Sequence, residues 1–504
     1  MKPAPALRAA PQSQASETIG RRTRAEPAII ALAGLLLATA AGKLAFAVSH
    51  PLGFDELWTA MIASQRSFAG FVRQCYLDVN APLAYLVAWI WAHIAGLSDN
   101  ALRIPGVVFA SAAPLLALTP SRSIPRHARL IWAALLACWI PGFVFAAEAR
   151  SYALIIFIST GNTVAYLALL EKPSLKSAFA WTAASSLLIL THYIALPLVA
   201  CQGLGYLLVH RQRAVRTWPA LLAFAPALAS LAAHAALLIG FTDRSAAGAA
   251  PLKASALPEL IAFVVGGPSS ALILLAWAGV SFALWRLRAR ADASPSQLAG
   301  SLAWIAPATS LATAALCLTA SLAHPLIIDR YLTPEVPGVL LGIALLALEF
   351  GRRWRLAPTV LVALQFGLSV ALLAGALRTQ QRFPLEQASS DLMDAGIQRL
   401  AFFWDSPSSR GADPEASGEV GGFFFHRAGR PIRVDNLDLK PGEDPNLAFA
   451  SWGRQPGSAI LWLYDDHVAG AAARRFPPRI AREDPAWRCR DYGGGTMHIL
   501  ACLR

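Results

Sequence analysis

The sequence predicts an α-helical polytopic membrane protein of about eleven transmembrane helices, with interfacial helices in its first outer loop and a small C-terminal α/β soluble domain. Three observations carry this expectation. Of the 504 residues, 56% are hydrophobic and 14% charged, where soluble domains carry about 25% charged residues. The formal charge of +13 resides entirely in residues 1–377, which hold 27 basic and 14 acidic side chains, while residues 378–504 hold 16 of each. Apolar runs of the roughly 17 to 25 residues that cross a bilayer recur through the first part and stop before the second. An ordinary soluble enzyme is thereby excluded, and the basicity reads as membrane topology rather than affinity for nucleic acid.

Residues 1–26 form a cytoplasmic N-terminal segment, and the apolar runs lie near 27–48, 103–120, 130–147, 152–170, 178–193, 194–210, 219–240, 262–285, 300–321, 332–350 and 356–377. The run after Arg24 is long and lacks a small-residue cleavage site, so it reads as an anchor helix rather than a signal peptide. Lys and Arg collect in cytoplasmic loops. With the N-terminus inside, Lys2, Arg8, Arg21, Arg22 and Arg24, then Arg122, Arg126 and Arg129, then Lys172 and Lys176 fall inside. So do Arg211, Arg213 and Arg216, Arg286, Arg288 and Arg290, and Arg352, Arg353 and Arg355, placing 19 of the 27 basic residues there. An odd number of spans then puts the C-terminal domain outside: a multi-pass protein of the plasma (inner) membrane, with its tail periplasmic or extracellular.

In the first outer loop, 49–102, the stretch Ala81 to Gly96 is apolar, but counting it as a span reverses every later loop. It is expected in the interface, where Trp89 and Trp91 suit a surface helix, and Ser64 to Tyr76 is expected beside it. The transmembrane domain thus covers 27–377. In the tail, 378–504, Leu400–Trp404, Pro431–Val434 and Ala459–Tyr464 read as strands, alternating with helices at Glu419–Arg427, Asp444–Gly453 and Val468–Arg475. It has no Gly-rich phosphate loop or nucleophile elbow, which leaves a supporting or acceptor-recognition role. Cys138, Cys201 and Cys317 lie in spans as small apolar residues, and no zinc-type spacing occurs. Cys489 and Cys502 flank a terminal hairpin built on Gly493, Gly494 and Gly495; a disulfide and two unrelated thiols both fit.

Acidic residues are scarce in the membrane part, so Asp55 and Glu56, just after the first span, stand out as catalytic candidates. A carboxylate at the interface can orient or deprotonate an acceptor hydroxyl; the plain alternative is a solvated loop pair. Glu148, Arg150 and Tyr152, then His192 and Tyr193, then Asp329, Arg330 and Tyr331 fall at span ends on the same face. Arginines there make charge-assisted bonds to phosphate, and tyrosines add neutral donors. Arg150, Tyr152, His192, Tyr193, Arg330 and Tyr331 are the expected donor-binding set. The alternatives are arginines snorkelling to headgroups and a histidine bonded at a helix end.

Phe54-Asp55-Glu56, Asp78-Val79-Asn80-Ala81-Pro82-Leu83-Ala84-Tyr85, Gly96-Leu97-Ser98 and Leu102-Arg103-Ile104-Pro105 resemble the first outer loop of the protein mannosyltransferase-like family. That family is one of the integral-membrane glycosyltransferases of the C-type fold, along with the lipid A aminoarabinose transferases. Ala149-Arg150-Ser151-Tyr152, Thr191-His192-Tyr193 and Asp329-Arg330-Tyr331-Leu332-Thr333-Pro334 resemble its later landmarks, in order, over about the first 350 residues. Ala81 stands where relatives often have a second proline. The resemblance implies a polyprenyl-phosphate sugar as donor, an outward-facing site with the acidic loop residue as catalytic carboxylate, inversion at the sugar, and an envelope acceptor: lipopolysaccharide or other lipid, glycan or protein. It requires no nucleotide or redox cofactor. A divalent cation bridging Asp55 and the phosphate is compatible with it, although no metal ligand set beyond Asp55 is present. The rival class, a lipid or sugar transporter or flippase, places coupling charges at mid-membrane, whereas here the charges crowd one interface. An inactive scaffold is the third reading.

Overall fold

The computed structural model describes residues 13–78, 80–248, 257–266, 302–323, 329–351, 355–378, 384–405, 414–436, 452, 457–465, 485–493 and 497–504. Among these, seven helices are long and apolar enough to cross a membrane: Pro27–Ser49, Tyr152–Glu171, Tyr193–His210, Trp218–Gly240, Leu302–Leu322, Asp329–Gly351 and Ala357–Gly375. They correspond to seven of the eleven expected runs. Of the other four, 103–120 is α5 (Asp99–Leu116), with a polar first turn. The run 178–193 is the shorter apolar α9 (Leu175–Thr191), and most of 262–285 lies outside the described residues.

The fourth, 130–147, is broken into α6 (Arg126–Ala137) and α7 (Pro141–Ala146). Pro141 explains the break, since a proline inside a helix removes a bond and clashes with the preceding turn. Carbonyls freed inside a membrane need partners, and α1 (Ser13–Ser49) and the last membrane helix supply them. Lys43 Nζ donates to Ala137 O at 3.3 Å and to Ala110 O of α5 at 3.2 Å, while Ser369 Oγ donates to Cys138 O at 2.7 Å. Lys43 is only 1% exposed, so it is a fastener of the broken span rather than a surface anchor.

The first loop folds into three short helices, α2 (Phe54–Ala63), α3 (Phe68–Leu77) and α4 (Pro82–Ala95). None reaches the length of a span. Ser67 caps α3 through the amide of Gly70, Pro82 opens α4, and Ser98 caps α5 through Ala101 N. The two interfacial indoles are satisfied by backbone: Trp89 Nε1 donates to Gln65 O and Trp91 Nε1 to Ala101 O, both at 2.7 Å. Then α8 (Tyr152–Glu171), α9, α10 (Leu196–His210), the short α11 (Gln212–Val215), α12 (Ala225–Gly248) and α13 (Leu257–Val265) follow. The membrane part ends with α14 (Ile305–Ala323), a 3-10 turn at Asp329–Glu335, α15 (Val336–Gly351) and α16 (Ala357–Arg378).

After α17 (Pro384–Asp394) comes a five-stranded sheet of order β2-β1-β3-β5-β4, with β1 Arg399–Asp405, β2 Arg433–Asn436, β3 Ser458–Asp465, β4 Arg488–Asp491 and β5 Met497–Leu503. β1 runs parallel to β2 and β3, while β5 is antiparallel to β3 and β4. Helix α18 (Pro414–Arg427) covers one face; the expected helices at 444–453 and 468–475 lie essentially outside the described residues. A side chain at Gly421 would collide with the ring of Phe402, so glycine there lets α18 lie against β1. Cys489 and Cys502 face each other across β4 and β5 and are joined by a disulfide.

One apolar core joins the sheet to the first loop. Leu57 and Met61 of α2 and Tyr85 of α4 pack in the same cluster as Leu400 and Phe402 of β1 and Phe424 of α18. Arg73 donates to both carboxylate oxygens of Glu415 at 2.9 and 2.6 Å, and Gln74 Nε2 donates to Glu419 Oε1 at 3.0 Å. Arg427 pairs with Asp99, whose other oxygen accepts from Leu52 N at 3.3 Å. The sheet domain is thus fastened to the loop that carries Asp55.

Candidate functional site

Asp55 lies in the first turn of α2, where a carboxylate is favoured by the helix dipole. Its Oδ2 accepts from Arg330 Nη1 at 2.8 Å, and its backbone carbonyl accepts from Arg150 Nη1 at 2.9 Å. The Asp55 and Arg330 side chains remain 49% and 36% exposed, so the pair is open on one side. Burial alone would raise the Asp55 carboxyl, yet Arg150 and Arg330 beside it hold it below its ordinary value, and it is ionised at neutral pH. Among the described residues, the Nε atoms of Arg150 and Arg330 have no hydrogen-bond partner, leaving donor capacity in both guanidinium groups.

Arg330 is placed by the 3-10 turn that precedes α15. Asp329 Oδ1 accepts from Arg330 N at 2.7 Å, Thr333 Oγ1 donates to Arg330 O at 2.6 Å, and Ser159 of α8 bonds Pro334 O. The guanidinium carbon sits 5.7 Å from the centroid of the buried Tyr152 ring, within cation–π range. His192 ends α9 and lies 6.2 Å from Tyr152 and 5.9 Å from Tyr331, ring to ring. The structure therefore brings Asp55, Arg150, Tyr152, His192, Arg330 and Tyr331 together, although they derive from four separate stretches of chain.

Two expected site residues engage other groups. Tyr193 turns its hydroxyl to Ser230 Oγ at 2.8 Å and His234 Nδ1 at 3.1 Å, on α12. Glu56 is 4% exposed, and its carboxylate takes four N–H donors. Oε1 accepts from Ala149 N at 2.7 Å and Arg103 Nε at 2.9 Å, while Oε2 accepts from Gly53 N and Arg103 Nη2, both at 2.6 Å. Arg103, itself 2% exposed, also donates to the carbonyls of Ala47, His50 and Pro51 at the end of α1. This knot fixes α1, α2, α5 and the 148–151 turn relative to one another.

Sequence reasoning gave no role to the polar group behind Arg150. Asn80 Nδ2 and the Tyr85 hydroxyl both donate to the Asp78 carboxylate, and Asn80 and Tyr85 line a cavity with Thr59, Glu148 and Arg150. Much of the remaining lining, including Ala84, Val87, Pro105, Phe109 and Leu154, is apolar. Burial and the nearby Glu56 carboxylate push the Glu148 carboxyl up to about 7, against the pull of Arg150. Gly106 lets α5 approach this turn: a side chain there would stand 2.9 Å from Ala146 O. The signal available was the Asp-x-Asn-x-Pro run before α4. Among the described residues, no three His, Cys, Asp or Glu gather as a metal-ligand group.

No family model matches the chain, and no curated protein matches it. The solved structures of similar fold include two that match over nearly the whole length. ArnT from Cupriavidus metallidurans bound to undecaprenyl phosphate superposes with a TM-score of 0.55 at 13% identity, covering 94% of this chain and 97% of that one. The same protein in its apo state gives 0.51 at 14%, covering 95% and 98%. At this identity the likeness speaks for architecture: the chain has the membrane fold of ArnT, a lipid A aminoarabinose transferase of the C-type glycosyltransferase fold.

Proposed function

We propose that this protein transfers a sugar from a polyprenyl phosphate to a hydroxyl of an envelope acceptor, with inversion at the anomeric carbon. The observation that carries the reading is the half-open Asp55–Arg330 pair with Arg150 beside it: an ionised carboxylate and two arginines with spare donors at the end of a membrane bundle. The ArnT structure of the same fold contains undecaprenyl phosphate, which supports a lipid-phosphate donor here. The basic loops support a site on the outer face, and a disulfide in the tail suits an oxidising compartment.

In this reading the acceptor oxygen attacks the anomeric carbon while the bond from that carbon to the phosphate oxygen breaks. The hydroxyl proton passes to Asp55, and the lipid phosphate leaves with the bonding electrons. A phosphate monoester has a second pKa of about 6, so the leaving group needs positive charge more than a proton. Arg330 and Arg150 supply it, and such preorganised charge is commonly the largest catalytic contribution. Tyr152 holds the Arg330 guanidinium against its ring, and His192 packs on both Tyr152 and Tyr331. Glu56 acts as a positioning residue through Arg103. The cavity beside Arg150 has both polar and apolar lining, which suits the junction of the phosphate and its prenyl tail.

The test follows lipid-phosphate release from radiolabelled polyprenyl-phosphate sugars by purified protein. Asp55→Asn is expected to bind donor normally and lose transfer by about 100- to 10,000-fold, the usual range for a general base. Arg330→Ala is expected to weaken the donor step, with Arg330→Lys restoring only part because a point charge does not replace a planar fork. Wild-type transfer by folded Asp55→Asn refutes the assignment.

A further inference from the structure

Trp58 stands three residues after Asp55 in α2, and residues at this spacing share a helix face. Its ring lies 5.9 Å from that of Trp404, and the ring of Phe54 lies 5.0 Å from it. Trp404 belongs to the sheet domain, one residue before the end of β1. Both tryptophans are only partly buried, whereas Phe54 beneath them is 5% exposed. An aromatic surface built from two domains therefore begins one helical turn from the half-open carboxylate.

The topology gives this placement a reason. β1 is flanked by two parallel strands, and open sheets of this kind collect ligands beyond the carboxyl ends of their parallel strands. It is the carboxyl end of β1 that meets α2. The Arg73–Glu415 pair, the Arg427–Asp99 pair and the shared core hold the two parts in register. Asp99 also bonds Leu52 N, three residues before Asp55, so the clamp on the sheet domain is continuous with the segment that places the carboxylate.

We propose that Trp58 and Trp404, backed by the buried Phe54, form a shelf that takes the sugar ring of a carbohydrate acceptor and turns one of its hydroxyls toward Asp55, so that the sheet domain builds one wall of the acceptor subsite. This rests on the transferase reading above and names its acceptor class. A pyranose has a face of C–H bonds that packs on an indole while its rim of hydroxyls stays free for polar partners, which suits amphipathic aromatic surfaces with a few polar groups converging at one edge. An alkyl alcohol has no such face, and an extended peptide needs backbone partners that two rings do not provide.

The test uses the full chain in detergent, with methyl α-glucopyranoside and methyl β-galactopyranoside as probes of ring binding by saturation-transfer NMR. Ring protons of one face are expected to receive saturation in the wild type and in Arg330→Ala, and to lose it in Trp404→Ala, with Trp404→Phe retaining part. With a carbohydrate acceptor, Trp404→Ala is expected to raise the acceptor KM about 30-fold, the scale of a buried aromatic anchor removed, and to leave binding of the lipid phosphate unchanged. Glycoside contact and acceptor KM that are indifferent to Trp404→Ala, while transfer proceeds, overturn the shelf. So does a Trp404-dependent response to n-dodecanol or to a serine peptide in place of the glycosides. Trp404-dependent glycoside contact without transfer from any polyprenyl-phosphate sugar supports the shelf and refutes the parent reading, so the two failures are separable.

Discussion

Replacing Glu56 by glutamine separates the two neighbouring acids that look alike in the sequence. The Glu56 carboxylate accepts four N–H groups, two on each oxygen. An amide keeps the size but turns one oxygen into a donor, so two of those N–H groups face another donor and Arg103 loses its counter-charge. Hydrogen bonds to charged groups are worth about 1.5–3 kcal/mol each, and breaking a buried ion pair costs about 3–5 kcal/mol. The two routes agree on a loss of roughly 3–5 kcal/mol. Asp55 and Arg330, at 49% and 36% exposure, contribute only about 0–1 kcal/mol as a surface pair. Glu56→Gln is thus expected to unfold several degrees below the wild type, and Asp55→Asn to unfold with it. Thermal unfolding in detergent, followed by a thiol-reactive dye that reports exposure of the buried Cys75 and Cys138, measures both. Equal shifts in the two variants refute the reasoning. A Glu56→Gln protein that is as stable as the wild type yet inactive would return Glu56 to the catalytic role its position beside Asp55 first suggested.

Tyr152→Phe should preserve donor binding and Tyr152→Leu should weaken it by about 2- to 30-fold, since a ring under a guanidinium is worth about 0.5–2 kcal/mol; donor titration distinguishes them. The Glu148 carboxyl, raised from 4.5 to about 7, binds its proton more tightly folded than unfolded, so stability falls as pH rises from about 4 to 7 and is level above. Glu148→Gln should therefore raise the unfolding temperature at pH 8 and leave it unchanged at pH 4. Cys489→Ser, which opens the β4–β5 disulfide, should cost about 2–4 kcal/mol, read as faster proteolysis of the tail with the membrane part intact. A reporter fused after Arg504 should behave as external and one near Arg288 as cytoplasmic; the reverse moves the site to the other face.

Seven of the expected spans were legible because length and apolarity decide whether a helix can cross a bilayer. What the pattern obscured was continuity: 130–147 is apolar throughout, and only Pro141 hints that the helix breaks. The lysine that repairs the break lies about ninety residues earlier. In a hydropathy profile Lys43 is one charge near the end of a span, indistinguishable from a snorkelling anchor, since its burial depends on carbonyls of two other helices.

Within the site, the structure clusters several of the side chains that the sequence singled out and turns others away. Successive residues on an α-helix point about 100° apart, so Asp55 and Glu56 cannot face the same partners. One meets Arg330, and the other meets Arg103. The same divergence separates His192, packed against Tyr152 and Tyr331, from Tyr193, which bonds to α12. Adjacent letters marked one neighbourhood, while the tertiary fold decided which side chain faced it. Trp404 shows the limit from the other direction. Nothing within its own strand distinguishes it from a core residue, and its proximity to Asp55 exists only because the carboxyl end of a parallel strand is clamped onto the first-loop helices. A role for the tail in acceptor recognition was inferred from what the tail lacks. The physical case for it comes from the docking, which sets Trp404 of the sheet domain beside Trp58, one helical turn from Asp55.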